Sequence, residues 1–330
     1  MRFTSEFKDK VFKVDKNNFS DFALELFYFQ AKEIPIFKHY LELVGCSASK
    51  IKNIEEIRFL PITFFRNNII SLFPENNFYF QSSGTGANGR SRHYIKDLDY
   101  YKLNSKLIFE SFYGSLKDYY ILPLLPSYQE NEQSSLLYMV DDFMKYSSNQ
   151  HSQYFQVNDY SRIEEIMIHA FKNHKKVLMI GVTYALLELA QIVQWNYPEM
   201  IVMETGGMKG RGEELTRNQV HEILKSKFGI DQVHSEYGMT ELRSQAYAYK
   251  NGQFVTPEWM RVMIRQINDP YTFASRGMSG GINIIDLANV ESCAFIETQD
   301  LGRQNPDNTF EVLGRFDTSE SRGCNLLHTV

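Results

Sequence analysis

The stretch VLMIGVTYALLELAQIV, residues 177–193, is the longest apolar run in the chain, and its reading decides the fold. Taken as one helix it approaches the length of a membrane span, but Glu188 and Gln191 interrupt it. It divides more naturally into a buried strand, Val177 to Gly181, followed by a helix over TYALLELAQIVQW. A strand that feeds directly into a helix is the repeating unit of an α/β sheet.

Outward from that unit the alternation recurs. YYILPLLP (119–126) reads as a buried strand, and NEQSSLLYMVDDFMKY and RIEEIMIHAFKNH as helices. MIVMET (200–205) is a further strand and GEELTRNQVHEILKSKFG a helix with Leu215, Ile223 and Leu224 on its apolar side and Gly229 as its C-cap. DQVHSEYG is one more strand. Upstream, residues 19–48 carry Phe22, Leu24, Leu26, Phe27, Phe29 and Ile34 at helical spacing until Pro35 breaks the run. FYF at 78–80 reads as a strand and DLDYYKLNSKLIFESF as a helix. The fold class is therefore α/β, a mostly parallel sheet with helices on both faces, with ligand loops beyond the C-terminal ends of the strands.

From about Ser244 the character changes to short strands: SQAYAY, NGQF after a turn at Asn251–Gly252, RVMIRQI, GGINIIDL, SCAFIET and TFEVLGR. The expected organisation is an entry segment plus nucleotide-binding portion over 1–243 and a β-rich portion over 244–330. No long linker separates them, so they are expected to pack as one body.

Composition excludes several classes. The chain has 330 residues, 43% hydrophobic and 23% charged, with a net charge of −5 and scattered lysines and arginines. No basic face argues for nucleic acid or anionic lipid. Aromatic residues are abundant, 25 Phe and 20 Tyr, and serve a core as well as an apolar ligand site. Cys46, Cys293 and Cys324 have neither paired spacing nor a zinc pattern, which suits a reducing compartment. MRFTSEFKDKVFKVD lacks the apolar core of a secretory signal, and the expected location is cytoplasmic.

SSGTGANGRSRH (82–93) is one residue from a Walker-type P-loop, with Arg90 where the lysine belongs. A glycine-rich turn presents backbone N–H groups to phosphate oxygens. A P-loop NTPase lacks support here, since the lysine is missing and no apolar run ending in a magnesium-binding Asp follows. METGGMKGRGEEL (203–215) sets a second glycine cluster between a strand and a helix, with Lys209 and Arg211 adding positive charge. HSEYGMTEL (234–242) offers a Tyr to stack on a base, a Gly turn, a Thr hydroxyl and a Glu for magnesium. TQDLGR (298–303) and LGRFDTSESRGC (313–324) each put an Asp or Arg after a strand, placed for ribose or phosphate.

In the order SSGTG, ETGG, YGMTE, QDLG, GRFD, these motifs resemble the adenylate-forming superfamily of acyl- and aryl-CoA ligases, luciferases and adenylation domains. ETGGMKGRGEELTR and GRFDTSESRGCNLL look closest to the acyl-protein synthetase of the fatty-acid reductase complex of luminous bacteria, and next to phenylacetate-CoA ligases. The resemblance spans roughly residues 75–327. It implies the large N-terminal domain of such enzymes, using ATP and Mg²⁺ to convert a fatty or aryl acid to acyl-AMP. Ser82, Ser83, Gly84, Thr85 and Gly86 then match the loop over the phosphates. Gly206 and Gly207 match the segment that flanks adenine, with Tyr237 and Gly238 beside it, Thr240 the hydroxyl on a phosphate, Glu241 the metal ligand, Asp300 the acidic residue on the ribose and Arg315 the basic residue that follows it. Asp317 falls where larger members hinge.

The chain departs from the family in two places. The loop lacks its usual lysine, for which Arg90 or Arg92 stands in, although arginine is not an equivalent cation. The chain also stops at Val330, without the mobile C-terminal domain that carries a catalytic lysine in relatives. Lys209, Arg90 and His93 are the candidate replacements. Cys324 matches the position where acyl-protein synthetases carry the acyl group as a thioester, and Arg322 beside it favours the thiolate. CoA or an acyl carrier protein are the other thiol acceptors implied, with an acyl reductase or acyltransferase as partner; the alternative readings are a stand-alone acyl- or aryl-CoA ligase and a non-catalytic, partner-dependent subunit of an acyl-transfer or reductase complex. Cys46 and Cys293, in apolar surroundings, are expected to be structural.

Overall fold

The computed structural model describes residues 2–75, 78–82, 89–125, 132–206, 215–250 and 252–316. The entry segment is three helices, α1 (Arg2–Val11), α2 (Phe19–Glu33) and α3 (Pro35–Leu43). Pro35 ends α2 and opens α3, because Ile34 before it is extended at ψ 107° and the missing N–H of proline costs nothing at a helix start. The expected break is thus a corner between two helices. Phe27 and Phe37, one from each, pack on Phe295 at 5.5 and 6.1 Å between ring centroids.

Next come β1 (Leu60–Pro61), α4 (Phe64–Asn67) and the antiparallel pair β2 (Tyr79–Gln81) and β3 (Arg92–Tyr94), in the register Phe80 to His93. The α/β portion follows as α5 (Leu98–Tyr113), β4 (Tyr119–Leu124), α6 (Ser135–Ser147), α7 (Tyr160–Lys172), β5 (Lys176–Val182), α8 (Thr183–Ile192), β6 (Ile201–Thr205), α9 (Arg217–Phe228) and β7 (Val233–Tyr237). Side-chain caps start these helices where the sequence supplies them: Asp97 for α5, Ser134 for α6, and Thr216 with Gln219 as a capping box for α9. Gly229 closes α9 at φ 64°, a left-handed position that favours glycine.

Strands β4 to β7 are parallel and lie side by side in chain order. β4 is buried throughout and β5 beyond its first residue, as continuous apolar runs require. Strand alternation separates the two faces of β6 and β7. Glu204 and Ser235 face α8 and α9, whereas Thr205 and Glu236 face α5.

The remaining strands are β8 (Ala246–Lys250), β9 (Gln253–Val255), β10 (Met260–Arg265), β11 (Ser279–Asp286), β12 (Phe295–Gln304) and β13 (Phe310–Arg315). Among the described residues they extend the same sheet, eleven strands in all, in the order β10-β11-β12-β13-β9-β8-β7-β6-β5-β4 with β1 beside β12. The sheet is parallel up to β7 and antiparallel from β7 to β10.

One local expectation needs correction. Asp300 does not follow the strand read in SCAFIET: FIET and TQDLGR run on as the ten-residue β12, and Asp300 lies within it. A register shift at Leu301–Gly302 lets the strand run on, and Gly302 packs so closely on Ile282 that a Cβ there would lie 2.6 Å from its Cδ1. Among the described residues no helix is long and apolar enough to cross a membrane.

Candidate active site

Parallel pairing brings the ends of β5, β6 and β7 together, with Val182 beside Thr205 and Thr205 beside Glu236. Crevices at such strand ends are where open α/β sheets bind ligands. The chain leaves β6 through Gly206, at φ 73°, whose carbonyl accepts a 2.6 Å hydrogen bond from the Thr183 hydroxyl at the start of α8. Beneath it the Glu204 carboxylate accepts from the Ser235 hydroxyl at 2.6 Å and has Arg217 at 3.6 Å.

Beyond β7, Tyr237, Asp300 and Arg315 form a clamp. The Tyr237 hydroxyl donates to Asp300 Oδ2 at 2.8 Å, and Arg315 Nε donates to Asp300 Oδ1 at 3.1 Å. Asp300 and Arg315 are direct partners across β12 and β13, which fixes the second contact. Burial and the Asp300 carboxylate raise the Tyr237 hydroxyl well above its ordinary range, so it stays a proton donor. Its ring is edge-on to Phe254 and Phe310, at 5.7 and 5.6 Å. Tyr237 is thus built into the core with its hydroxyl at the clamp, whereas the sequence suggested a ring stacked on a base.

Gly238, Met239, Thr240 and Glu241 make the turn that follows. Glu241 is buried, which raises its carboxyl above the usual range, and the Ser91 hydroxyl hydrogen-bonds it. Ser91 and His93 sit two residues apart on or beside β3, so they share a face, and both point at this turn. His93 lies between two acceptors, with Nδ1 2.8 Å from the Thr240 carbonyl and Nε2 3.1 Å from Asn289 Oδ1, and a neutral ring donates its one N–H to the nearer, the Thr240 carbonyl. Asn289 is fixed in that orientation because its amide donates to the carbonyls of Glu241 and Cys293 at 3.0 and 2.9 Å.

His93 is fully buried, and burial followed by the nearby Arg243 charge pushes its imidazole down to about 3. It is a neutral peg behind the turn. Placed there, it holds the turn that carries Thr240 and Glu241. The base of the glycine-rich loop is closed from the same hairpin: Ser82 N–H donates to the Ser91 carbonyl at 3.1 Å and Ser91 N–H to Ser82 Oγ at 3.0 Å. Arg90 is exposed beside it, with Nη1 3.4 Å from Gln81 Oε1.

The structure therefore brings together Ser82, His93, Tyr237, Gly238, Thr240, Glu241, Asp300 and Arg315, with Gly206 on the neighbouring strand end. Ser83, Gly84, Thr85, Gly86, Gly207, Lys209, Asp317 and Cys324 lie outside the described residues. Among the described residues no group of three or more His, Cys, Asp or Glu could hold a metal ion by itself. Of the other cysteines, Cys293 is buried and its thiol is pushed up to about 12, while Cys46 is partly exposed.

Sequence reasoning missed Ser91, Asn289, Arg243 and the two strand-end carboxylates Glu204 and Glu236. Arg243 is wholly buried, paired with Glu291 at 2.9 Å, and Glu291 also takes Lys8 at 2.6 Å. A carboxylate near the end of an otherwise apolar strand, as in IVMET, is the signal that marks Glu204, whereas the polar HSEY gives none for Glu236.

The architecture has the fold of the large N-terminal domain of adenylate-forming enzymes, the fold that the motif order implied. No family model and no curated protein matches the chain. Among solved structures, it is similar to an open conformation of 2-hydroxyisobutyryl-CoA ligase in complex with 2-HIB-AMP and CoA, with TM-score 0.65 and 11% identity, covering 90% of this chain and 69% of that one. It is also similar to ATP-bound MatB from Rhodopseudomonas palustris, with TM-score 0.51 and 14% identity, covering 72% of this chain and 47% of MatB. The chain thus spans about half the length of MatB. At these identities the likeness is one of fold.

Proposed function

We propose that the chain activates a carboxylic acid with ATP to an acyl-adenylate and passes the acyl group to a thiol. The observation that carries this reading is the clamp on Asp300, whose carboxylate is held by Tyr237 and Arg315 at the edge of the strand-end crevice beside the Thr240–Glu241 turn. A carboxylate fixed in this way is built to accept from a pair of ribose hydroxyls. Support comes from the similar structures, which hold ATP in one case and an acyl-AMP with CoA in the other.

Glu241 fits a magnesium ion only as a single carboxylate ligand, the ordinary situation where phosphates and water supply the rest. The metal supplies charge neutralisation at the phosphates. Thr240 precedes it in the same turn, and Ser91 and His93 hold that turn in place. The substrate carboxylate oxygen attacks the α-phosphorus and pyrophosphate leaves with the electron pair of the broken P–O bond. Positioning and charge stabilisation supply the rate. In the second step a thiolate attacks the acyl carbonyl and AMP departs, leaving a thioester.

The thiol is Cys324 or an external one such as CoA or an acyl carrier protein. Lys209 and Arg90 are the candidate cations for the transferring phosphate. The resemblance also points to a cytoplasmic setting and an acyl reductase or acyltransferase as the next protein to act.

Acid-dependent ATP–pyrophosphate exchange tests the first step. Exchange with at least one acid from a panel of fatty and aryl acids is expected, and its absence in all, together with no ATP binding, refutes the proposal. Labelled acid and ATP test the second: a hydroxylamine-sensitive label lost in Cys324→Ala identifies the internal acceptor, and a label retained in that variant rejects it.

A further inference from the structure

Glu236 is the group in this region with the least compensation. It lies at the C-terminal end of β7, one residue before Tyr237, on the sheet face opposite Glu204. Its Oε2 accepts from the Thr205 hydroxyl at 2.7 Å. Its Oε1 folds back over Gly238, so closely that a Cβ there would stand 2.4 Å away. The carboxyl is therefore turned out of the strand and over the turn that carries Thr240. Burial, and then the Glu204 charge, push it up to about 7, and among the described residues only the Thr205 hydroxyl opposes them.

A carboxylate has about four acceptor positions, and an apolar ligand packed against it would strip off water without replacing those bonds. Its surroundings are aromatic: Tyr101 faces it from α5, with Phe80 at 4.9 Å and Tyr138 at 6.0 Å between ring centroids. We infer that Glu236 is a specificity residue that meets an amine or hydroxyl on the acid being activated, so that the substrate is an amino- or hydroxy-substituted acid and not a plain alkyl chain. This rests on the adenylation reading and narrows its substrate class.

The test is ATP–pyrophosphate exchange by the full chain with sets of acids matched in length and ring content, unsubstituted, hydroxylated and amino-substituted. Wild type is expected to favour a donor-bearing acid by at least about tenfold in kcat/KM, because a site built to hydrogen-bond a group rejects the analogue lacking it. Glu236→Gln should lose preference for amines and keep it for hydroxyls, and Glu236→Leu should turn the preference toward unsubstituted acids. Circular dichroism and ATP affinity unchanged in both variants separate these effects from misfolding. Wild-type preference for unsubstituted acids, or selectivity unmoved by either variant, overturns this inference alone. No exchange with any acid overturns the adenylation reading and the inference with it.

Discussion

Replacing His93 tests whether the site's geometry is held by a buried neutral imidazole. In His93→Ala the Thr240 carbonyl loses its 2.8 Å donor inside the protein, at a cost of about 1–3 kcal/mol. Loss of the ring's packing, including its edge contact with Phe65 at 5.9 Å, adds about 1–2 kcal/mol. A destabilisation of about 3 kcal/mol at pH 8 is a large share of the stability of an ordinary domain. The dependence on pH is more specific.

Folded His93 resists protonation down to about 3, whereas an unfolded histidine takes up a proton near 6.5. Between those values the unfolded state binds more protons, so stability rises with pH, and it is lost as pH falls. At pH 5 the wild type has lost about 2 kcal/mol through this one group. The alanine variant has not, so the gap between the two narrows from about 3 to about 1 kcal/mol. His234, lowered to about 4, remains in both proteins and cancels in the comparison. Urea unfolding of both proteins at pH 8, 6.5 and 5 measures the gap. A gap of the same size at every pH would show that His93 is not buried in its neutral form. If His93→Gln restores stability but exchange still needs more Mg²⁺, the residue acts by placing Glu241; an unaltered Mg²⁺ requirement in that variant refutes this role.

Three further substitutions probe other parts of the arrangement. Asp300→Asn should weaken ATP binding by about 10- to 100-fold in calorimetric titration, since a charged acceptor held by Tyr237 and Arg315 is lost; an unchanged affinity would remove Asp300 from the nucleotide site. Arg243→Met strips the buried Glu291 of one of its two cations and should cost about 3 kcal/mol in urea unfolding, with Lys8 sparing the rest. Gly238→Ala drives its Cβ against the flexible end of Glu236, so stability should shift by less than about 1 kcal/mol while acid selectivity moves as in Glu236→Leu; unaltered selectivity would show that the carboxyl does not face the acid.

The parts of the fold that were legible in the sequence are those specified locally. VLMIG followed by TYALLELAQI declared a strand and a helix because an apolar run and a change of period lie within a few residues of one another. Gly229 and Pro35 acted where the sequence placed them, whereas the helix expected from Gly212 starts at Arg217 behind the Thr216 cap. The order β10-β11-β12-β13-β9-β8 was not legible, since it depends on which distant strands pair, and each short strand carries too little pattern to choose a neighbour. β12 was split in the reading because TQDLGR looks like a loop; its glycine instead serves close strand packing.

In the site the same division holds, with a consequence for how it works. Thr240 and Glu241 stand out in YGMTE, but what holds them comes from far away in the chain, from SRH at 91–93 and from Asn289. Ser91 and His93 are separated by one residue, the spacing that puts two side chains on the same strand face, and Arg92 between them is exposed. One short strand therefore ties the base of the glycine-rich loop to the turn beyond β7 through two side-chain bonds. A shift of the hairpin cannot leave the turn where it was without breaking the His93 to Thr240 bond or the Ser91 to Glu241 bond, both buried. A displacement of the hairpin would therefore carry the Thr240–Glu241 turn with it.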